Sequence, residues 1–131
     1  MTVPEIELIA YIYAIDRAIE RLEKQSARLR VWMYRLTPER HTFMLAAQRG
    51  ICAICKGSET RGRLQIDHDH SCCHTKPTCG QCTRGLLCGW CNKVLWRYKD
   101  DPKLLDAAGL EAAATYLRKY RLRRTIERIS A

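Results

Sequence analysis

Acidic residues, phenylalanine and long apolar runs are all scarce in these 131 residues. Asp and Glu number 14 against 23 Lys and Arg, which leaves a net charge of +9. That imbalance makes a polyanion the expected partner, nucleic acid first. No run of eighteen or more apolar residues occurs, which excludes an expected membrane-spanning helix and a membrane partner. The chain opens on Pro4, Glu5 and Glu7, without the basic and apolar stretches of a secretory signal, so the expected location is the cytoplasm. The length excludes a large multidomain enzyme or a barrel of eight βα units. A single Phe stands beside three Trp and six Tyr, so the core has few large anchors and the middle of the chain needs another support.

Cysteine is what the chain has in excess. There are eight, and in a reducing compartment they point to thiolate–metal sites before disulfides. All eight, with three of the four His, fall between Ile51 and Cys91.

Around this centre the pattern is helical. Leu8, Ile12, Ile15, Ile19, Leu22, Ser26 and Leu29 recur at alternating spacings of four and three, a heptad seam in a helix expected over residues 5–36. Such a seam either pairs two chains into a homodimer or folds back on its own domain. Thr37-Pro38-Glu39 reads as a cap and a first turn, opening a helix that runs to about Arg49 with Gly50 as its stop. Leu64 to Asp67 alternates as a strand, Gly85 to Leu87 is its candidate partner, and a helix is expected from Cys91 to Tyr98. Asp100, Asp101 and Pro102 open a long C-terminal helix carrying Leu104, Leu105, Ala108, Ala112, Leu117 and Tyr120. Residues 49–99 hold nine basic and three acidic side chains, so the centre should attract a phosphate backbone. The Arg-rich tail is a second phosphate strip or a solvated helix face. Trp32, Trp90 and Trp96 are expected to pack rather than to stack on bases.

Cys52-Ala53-Ile54-Cys55 and Cys88-Gly89-Trp90-Cys91 are two C-x2-C turns, and each offers two thiolates to one side of a tetrahedral ion. With Cys52, Cys55, Cys88 and Cys91 on one zinc no position is open to water, so this ion should be structural. Asp67-His68-Asp69-His70 lies at the end of the first strand, and Asn92 follows the last zinc cysteine. A carboxylate and an amide oxygen suit a hard cation such as Mg2+, and a neutral imidazole can take a proton from water. Strand, loop, strand and helix would bring Asp67, His68 and Asn92 together.

The motifs Leu36-Thr37-Pro38-Glu39, Leu45-Ala46-Ala47-Gln48, Cys52 to Cys55, Ile66 to His70, Arg84-Gly85-Leu86-Leu87-Cys88 and Cys91-Asn92 occur in one order. Together they resemble the recombination endonuclease VII family, a phage-associated branch of the HNH nucleases, over about residues 34–105. The resemblance implies an α+β fold in which a zinc-knit ββα-metal core is flanked by N- and C-terminal helices. It also implies Mg2+-dependent cleavage of DNA phosphodiester bonds, with Mn2+ as a substitute cation. By position, Asp67 and Asn92 would hold the catalytic ion, His68 would be the general base and His70 would act at the phosphate or leaving group. Arg84 would neutralise a phosphate or the transition state, or else is a surface arginine. The chain divides accordingly into an arm at 1–36, a nuclease core at 37–105 and a basic helix at 106–131.

The chain departs from the family in two places. Leu95 stands where the family's namesake has an acid three positions after the Asn. An insertion before Arg84 carries Cys72, Cys73, His74, Cys79 and Cys82, and offers a second zinc site made of the four cysteines or of three with His74. The rival reading is a non-catalytic zinc-ribbon DNA-binding protein, which has no need of Asp67, His68 and Asn92 in this arrangement. A thiol-redox protein is a third, and would require an exposed, reactive thiolate.

Overall fold

A computed structural model of the chain describes residues 1–59 and 62–131. Helix α1 (Val3–Tyr34) is opened by a reciprocal capping box in which Thr2 and Glu5 satisfy each other's backbone N–H. Its 32 residues span about 48 Å at the usual rise, and it stops where Arg35 turns left-handed, at φ 51. Thr37 caps α2 (Pro38–Ala47). The expected stop at Gly50 is spread over two residues, Arg49 (φ 54) and Gly50 (φ 71), and the Gly50 N–H reaches back to the Leu45 carbonyl.

The two strands, β1 (Gln65–His68) and β2 (Thr83–Leu87), form an antiparallel pair. Gln65 faces Leu87, Ile66 faces Leu86 and Asp67 faces Gly85, but His68 faces Thr83. Arg84 is therefore an extra residue in β2, a bulge that re-aims its side chain. Gln48, at the end of α2, ties that strand down: its amide donates to the Leu86 carbonyl at 2.8 Å and accepts from the Leu86 N–H at 2.9 Å. Helix α3 (Gly89–Arg97) follows at once, with the Cys88 sulfur as its cap.

The long C-terminal helix expected from the sequence is broken in two. Gly109, at φ 74, ends a short α4 (Pro102–Ala107) and lets α5 (Glu111–Ser130) turn back against it, because the left-handed turn there is one that glycine adopts without strain. The larger core joins the first cysteine cluster to Leu87, Leu95, Leu105, Ala113, Ala114 and Leu117, so α5 belongs to the same core as the hairpin. A smaller one unites Leu36, Ile66 and Leu86. The architecture is α+β, a two-stranded sheet among helices. Among the described residues no helix is long and apolar enough to cross a membrane.

Candidate active site and metal centres

The metal centres follow from chain geometry. In both four-cysteine groups, Cys52, Cys55, Cys88, Cys91 and Cys72, Cys73, Cys79, Cys82, the sulfurs lie within 4.8 Å of one another. Cys55 Sγ and Cys88 Sγ are 3.8 Å apart, as are Cys72 Sγ and Cys79 Sγ. A tetrahedral zinc with bonds of about 2.3 Å separates its sulfurs by about 3.8 Å, whereas a disulfide requires about 2.05 Å. Backbone N–H groups also aim at the sulfurs from two residues on: Ile54 to Cys52, Gly57 to Cys55 and Gln81 to Cys79, each at 3.4 Å. Such donors favour thiolate. Burial raises the Cys52 thiol, but hydrogen bonds from the backbone at Cys88, Cys55 and Ile54 outweigh it and bring it down to about 7. The Gln81 N–H brings Cys79 to about 7 as well, whereas burial and the neighbouring sulfurs push Cys72, Cys82, Cys88 and Cys91 up. Both donor sets fit zinc. His74 stands outside the second group, so of the two compositions expected there the structure assembles the four-sulfur one.

Beside the hairpin lies a buried ion-pair network. Asp67 is almost wholly enclosed, and Arg84 holds both its oxygens, Nε to Oδ2 and one Nη to Oδ1, each at 2.8 Å. The bidentate fork is the strongest form of this pair. From α5, the Tyr116 hydroxyl adds a donor to Oδ2 at 2.8 Å. Gly85 makes that approach possible, since a Cβ there would sit 2.8 Å from the Tyr116 oxygen. Burial and then the Asp67 carboxylate push the Tyr116 phenol well up, so it stays a donor. The other Nη of Arg84 meets Asp100 Oδ2 at 3.0 Å, and His70 Nδ1 meets the same oxygen at 2.9 Å. Lys99 and Asp100 both take φ 54 in the turn after α3, a region that aspartate tolerates better than most residues.

His68 is buried on the opposite side of β1 from Asp67, as strand alternation requires. Its Nε2 lies 3.0 Å from the Cys73 carbonyl, its ring meets Tyr34 edge-on at 5.9 Å, and the His70 ring is 4.5 Å away. A carbonyl can only accept, so Nε2 carries the proton of the neutral ring and Nδ1 is its free lone pair. Nδ1 has no protein partner among the described residues. Burial, then the neighbouring His70, lowers the His68 pKa below its ordinary value; the Cys73 carbonyl and Asp67 oppose this in part. His70, His74, Arg84, Lys99, Asp100 and Arg121 line an open cavity of about 650 Å³. A second, of about 350 Å³, continues along Arg121, Arg124 and Arg128 of α5.

Residues 27–119 match the sequence model of recombination endonuclease VII. The chain belongs to the recombination endonuclease VII family. The gene 59 protein of Mycobacterium phage D29 is 34% identical over 87 residues, which cover 66% of this chain and 46% of that protein. The chain thus spans about half the length of the curated relative it matches. No solved structure matches it.

In this family member several residues stand elsewhere than their sequence suggested. Arg84 is not a surface arginine: its guanidinium pairs with Asp67 and Asp100, and only 3% of the side chain is exposed. The three tryptophans do not pack: Trp32, Trp90 and Trp96 are 60, 73 and 75% exposed. The reason is that α1 turns Met33 and Tyr34 rather than Trp32 toward the rest of the chain, and α3 turns Cys91 and Leu95 inward. Asn92 reaches Gln65, donating to its Oε1 at 2.7 Å, rather than Asp67. With Asp67 enclosed and both its oxygens taken, the arrangement does not fit a magnesium ion seated on Asp67 and Asn92, since Mg2+ keeps its waters and requires an open carboxylate. Sequence reasoning missed Asp100 and Tyr116. The pair of aspartates before Pro102 was readable only as a cap, which Asp101 alone supplies, and Tyr116 is one aromatic in a helical stretch.

Proposed function

We propose that this protein is an HNH-type endonuclease of the endonuclease VII family that hydrolyses DNA phosphodiester bonds. Family membership supports a nuclease of the phage junction-resolving kind, and the order β1, β2, α3 is read as the ββα-metal core. The observation that carries the reading is the imidazole pair. His68 presents a bare Nδ1 at the bulge, and His70 lies 4.5 Å away with its Nδ1 on Asp100 beside a cavity lined with Lys and Arg. His68 takes the proton of the attacking water; His70, turned by Asp100, directs Nε2 to the departing oxygen or the phosphate. Arg84 acts by holding Asp67 and Asp100. The lining of Lys99, Arg121, Arg124 and Arg128 draws the phosphate backbone to the pair. Zinc in both four-cysteine groups supplies no chemistry beyond holding the chain around them. Magnesium, or manganese, on Asp67 and Asn92 is what the family resemblance implies; no step here runs through it.

Cutting two strands requires two such sites, and the uncovered heptad seam of α1 is read as the interface of a homodimer. Supercoiled plasmid and a four-way junction, each with and without Mg2+, test the reading. Cleavage is expected, and His68→Ala should lose about 100-fold or more while zinc content and DNA affinity hold. A His68→Ala protein that cuts at the wild-type rate would falsify the base assignment. Tight DNA binding without cleavage under any condition would favour the zinc-ribbon alternative.

A further inference from the structure

The second four-cysteine group has no place in the larger core. Cys72 and Cys79 are exposed and Cys73 is partly so, and only Cys82 is buried. Of residues 71–80 only Thr78 and Gly80 are buried, so no apolar side chain holds this segment in place. Its contacts are instead specific and directed to the site. Cys73 N–H donates to the Asp69 carbonyl at 3.1 Å, and Asp69 N–H donates to the Cys82 carbonyl at 2.9 Å. The segment is pinned from the other side by Thr78, whose N–H and hydroxyl donate to the carbonyls of Met33 and Tyr34. Gly80 is wedged against Arg35, where a Cβ would come within 2.7 Å of the Arg35 Cβ. Besides placing His74 in the cavity wall, the segment delivers the carbonyl of Cys73, on which His68 Nε2 rests.

We propose, on the basis of the nuclease reading above, that zinc in the insertion acts as a positioning element for His68. Cys73 contributes its sulfur to the metal group and its carbonyl to the histidine, so the two bonds share one residue's backbone. A metal that fixes the sulfur fixes the carbonyl. A fixed carbonyl keeps the proton on Nε2 and the lone pair on Nδ1, turned away from the insertion. Without the metal, a segment with almost no buried side chains loses its constraint, and the imidazole is free to turn and to exchange tautomers. Through this carbonyl the insertion serves the reaction without touching the reacting atoms.

The test uses the full-length zinc-loaded protein, with Cys79→Ser as the variant because Cys79 is an exposed ligand whose loss leaves the buried cluster intact. Zinc per chain, the ring carbon and nitrogen NMR signals of His68, DNA affinity and cleavage are read on the same samples. The wild type should hold two zincs and show one His68 tautomer, protonated at Nε2. Cys79→Ser should hold one zinc, keep its fold and DNA affinity, show mixed His68 tautomers and cleave about 10- to 100-fold more slowly, the range for loss of a group that orients a histidine. Cys79→His, which can still bind zinc, should restore the second zinc, the single tautomer and the rate. A wild type with one zinc overturns the proposal, as does an unchanged His68 signature in a one-zinc variant. If Cys79→Ser fails to fold, stepwise chelation of the wild type replaces it, and the His68 signals must change as the first zinc leaves. The nuclease reading fails separately, through a His68→Ala protein that still cleaves, whatever the tautomer shows.

Discussion

The arm and the centre of this molecule are built on opposite terms. Helix α1 is the longest regular element, 32 residues with a complete capping box, and among the described residues it buries none. The centre has nine strand residues, a bulge and loops, yet it holds the enclosed ion pairs and both cysteine groups. Regular secondary structure and tertiary anchoring are therefore separate properties here. A helix satisfies its backbone within itself and can stand unsupported by a core, as lone helices do only marginally. A two-stranded hairpin cannot; buried charge secures it, and the four-cysteine groups beside it offer zinc sites that would hold it further.

The strongest way to break the contrast is to disable the buried four-cysteine group. Cys91→Ser should leave the centre unfolded, because zinc sites of this kind contribute roughly 10–16 kcal/mol, as much as the whole stability of a domain, about 5–15 kcal/mol. Near-ultraviolet circular dichroism with zinc analysis checks this, and a stable zinc-free fold would contradict it. The helical signal of α1 should persist in part.

Arg84→Ala comes next. It leaves Asp67 buried and unpaired, which should lower stability by about 3–5 kcal/mol in urea unfolding. A variant as stable as the wild type but weaker on DNA would return Arg84 to the phosphate. Asp100→Asn keeps the shape and weakens the charge that turns His70 and meets Arg84. The expected loss is about 10- to 100-fold in kcat, with KM for DNA nearly unchanged. A loss confined to KM would make Asp100 part of the binding surface instead.

The smallest effect on stability is expected in the arm. Ile15 and Ile19 are 42 and 49% exposed, so Ile15→Asp with Ile19→Asp should change the folding free energy of the chain by no more than about 0.5 kcal/mol per site. The same pair should convert a dimer in sedimentation to a monomer that nicks but makes no paired cuts, since burying each isoleucine between two chains is worth about 1.5–3 kcal/mol before entropy is subtracted. A wild type that sediments as a monomer at tens of micromolar, an order of magnitude for useful association, would mean that the exposed seam serves another purpose.

Local chemistry was legible from residues alone. The spacing of Cys52, Cys55, Cys88 and Cys91 implied one tetrahedral site, Thr37-Pro38-Glu39 marked a helix start, and the alternation around Ile66 marked a strand; each appears within a residue or two of its expected place. These signals are carried by neighbours in the chain, whose geometry the backbone itself restricts. The long helix expected after Pro102 went wrong because its apolar spacing continues past Gly109, while a single left-handed residue reverses the chain.

What only the tertiary structure decided was the partner of each charge. Arg84 and Asp67 are seventeen residues apart and Tyr116 and Asp67 forty-nine, and whether an arginine meets a phosphate or a buried carboxylate depends on a bulge of one residue in β2. The same holds for His68. Its place in Asp67-His68-Asp69-His70 marked it as a candidate base, but which nitrogen is free was set by a carbonyl five residues on, in a segment shaped by four sulfurs. Sequence determined which groups are available, because bonding preferences belong to residue types; the fold determined how they are spent, because a donor enclosed with one acceptor has no other choice.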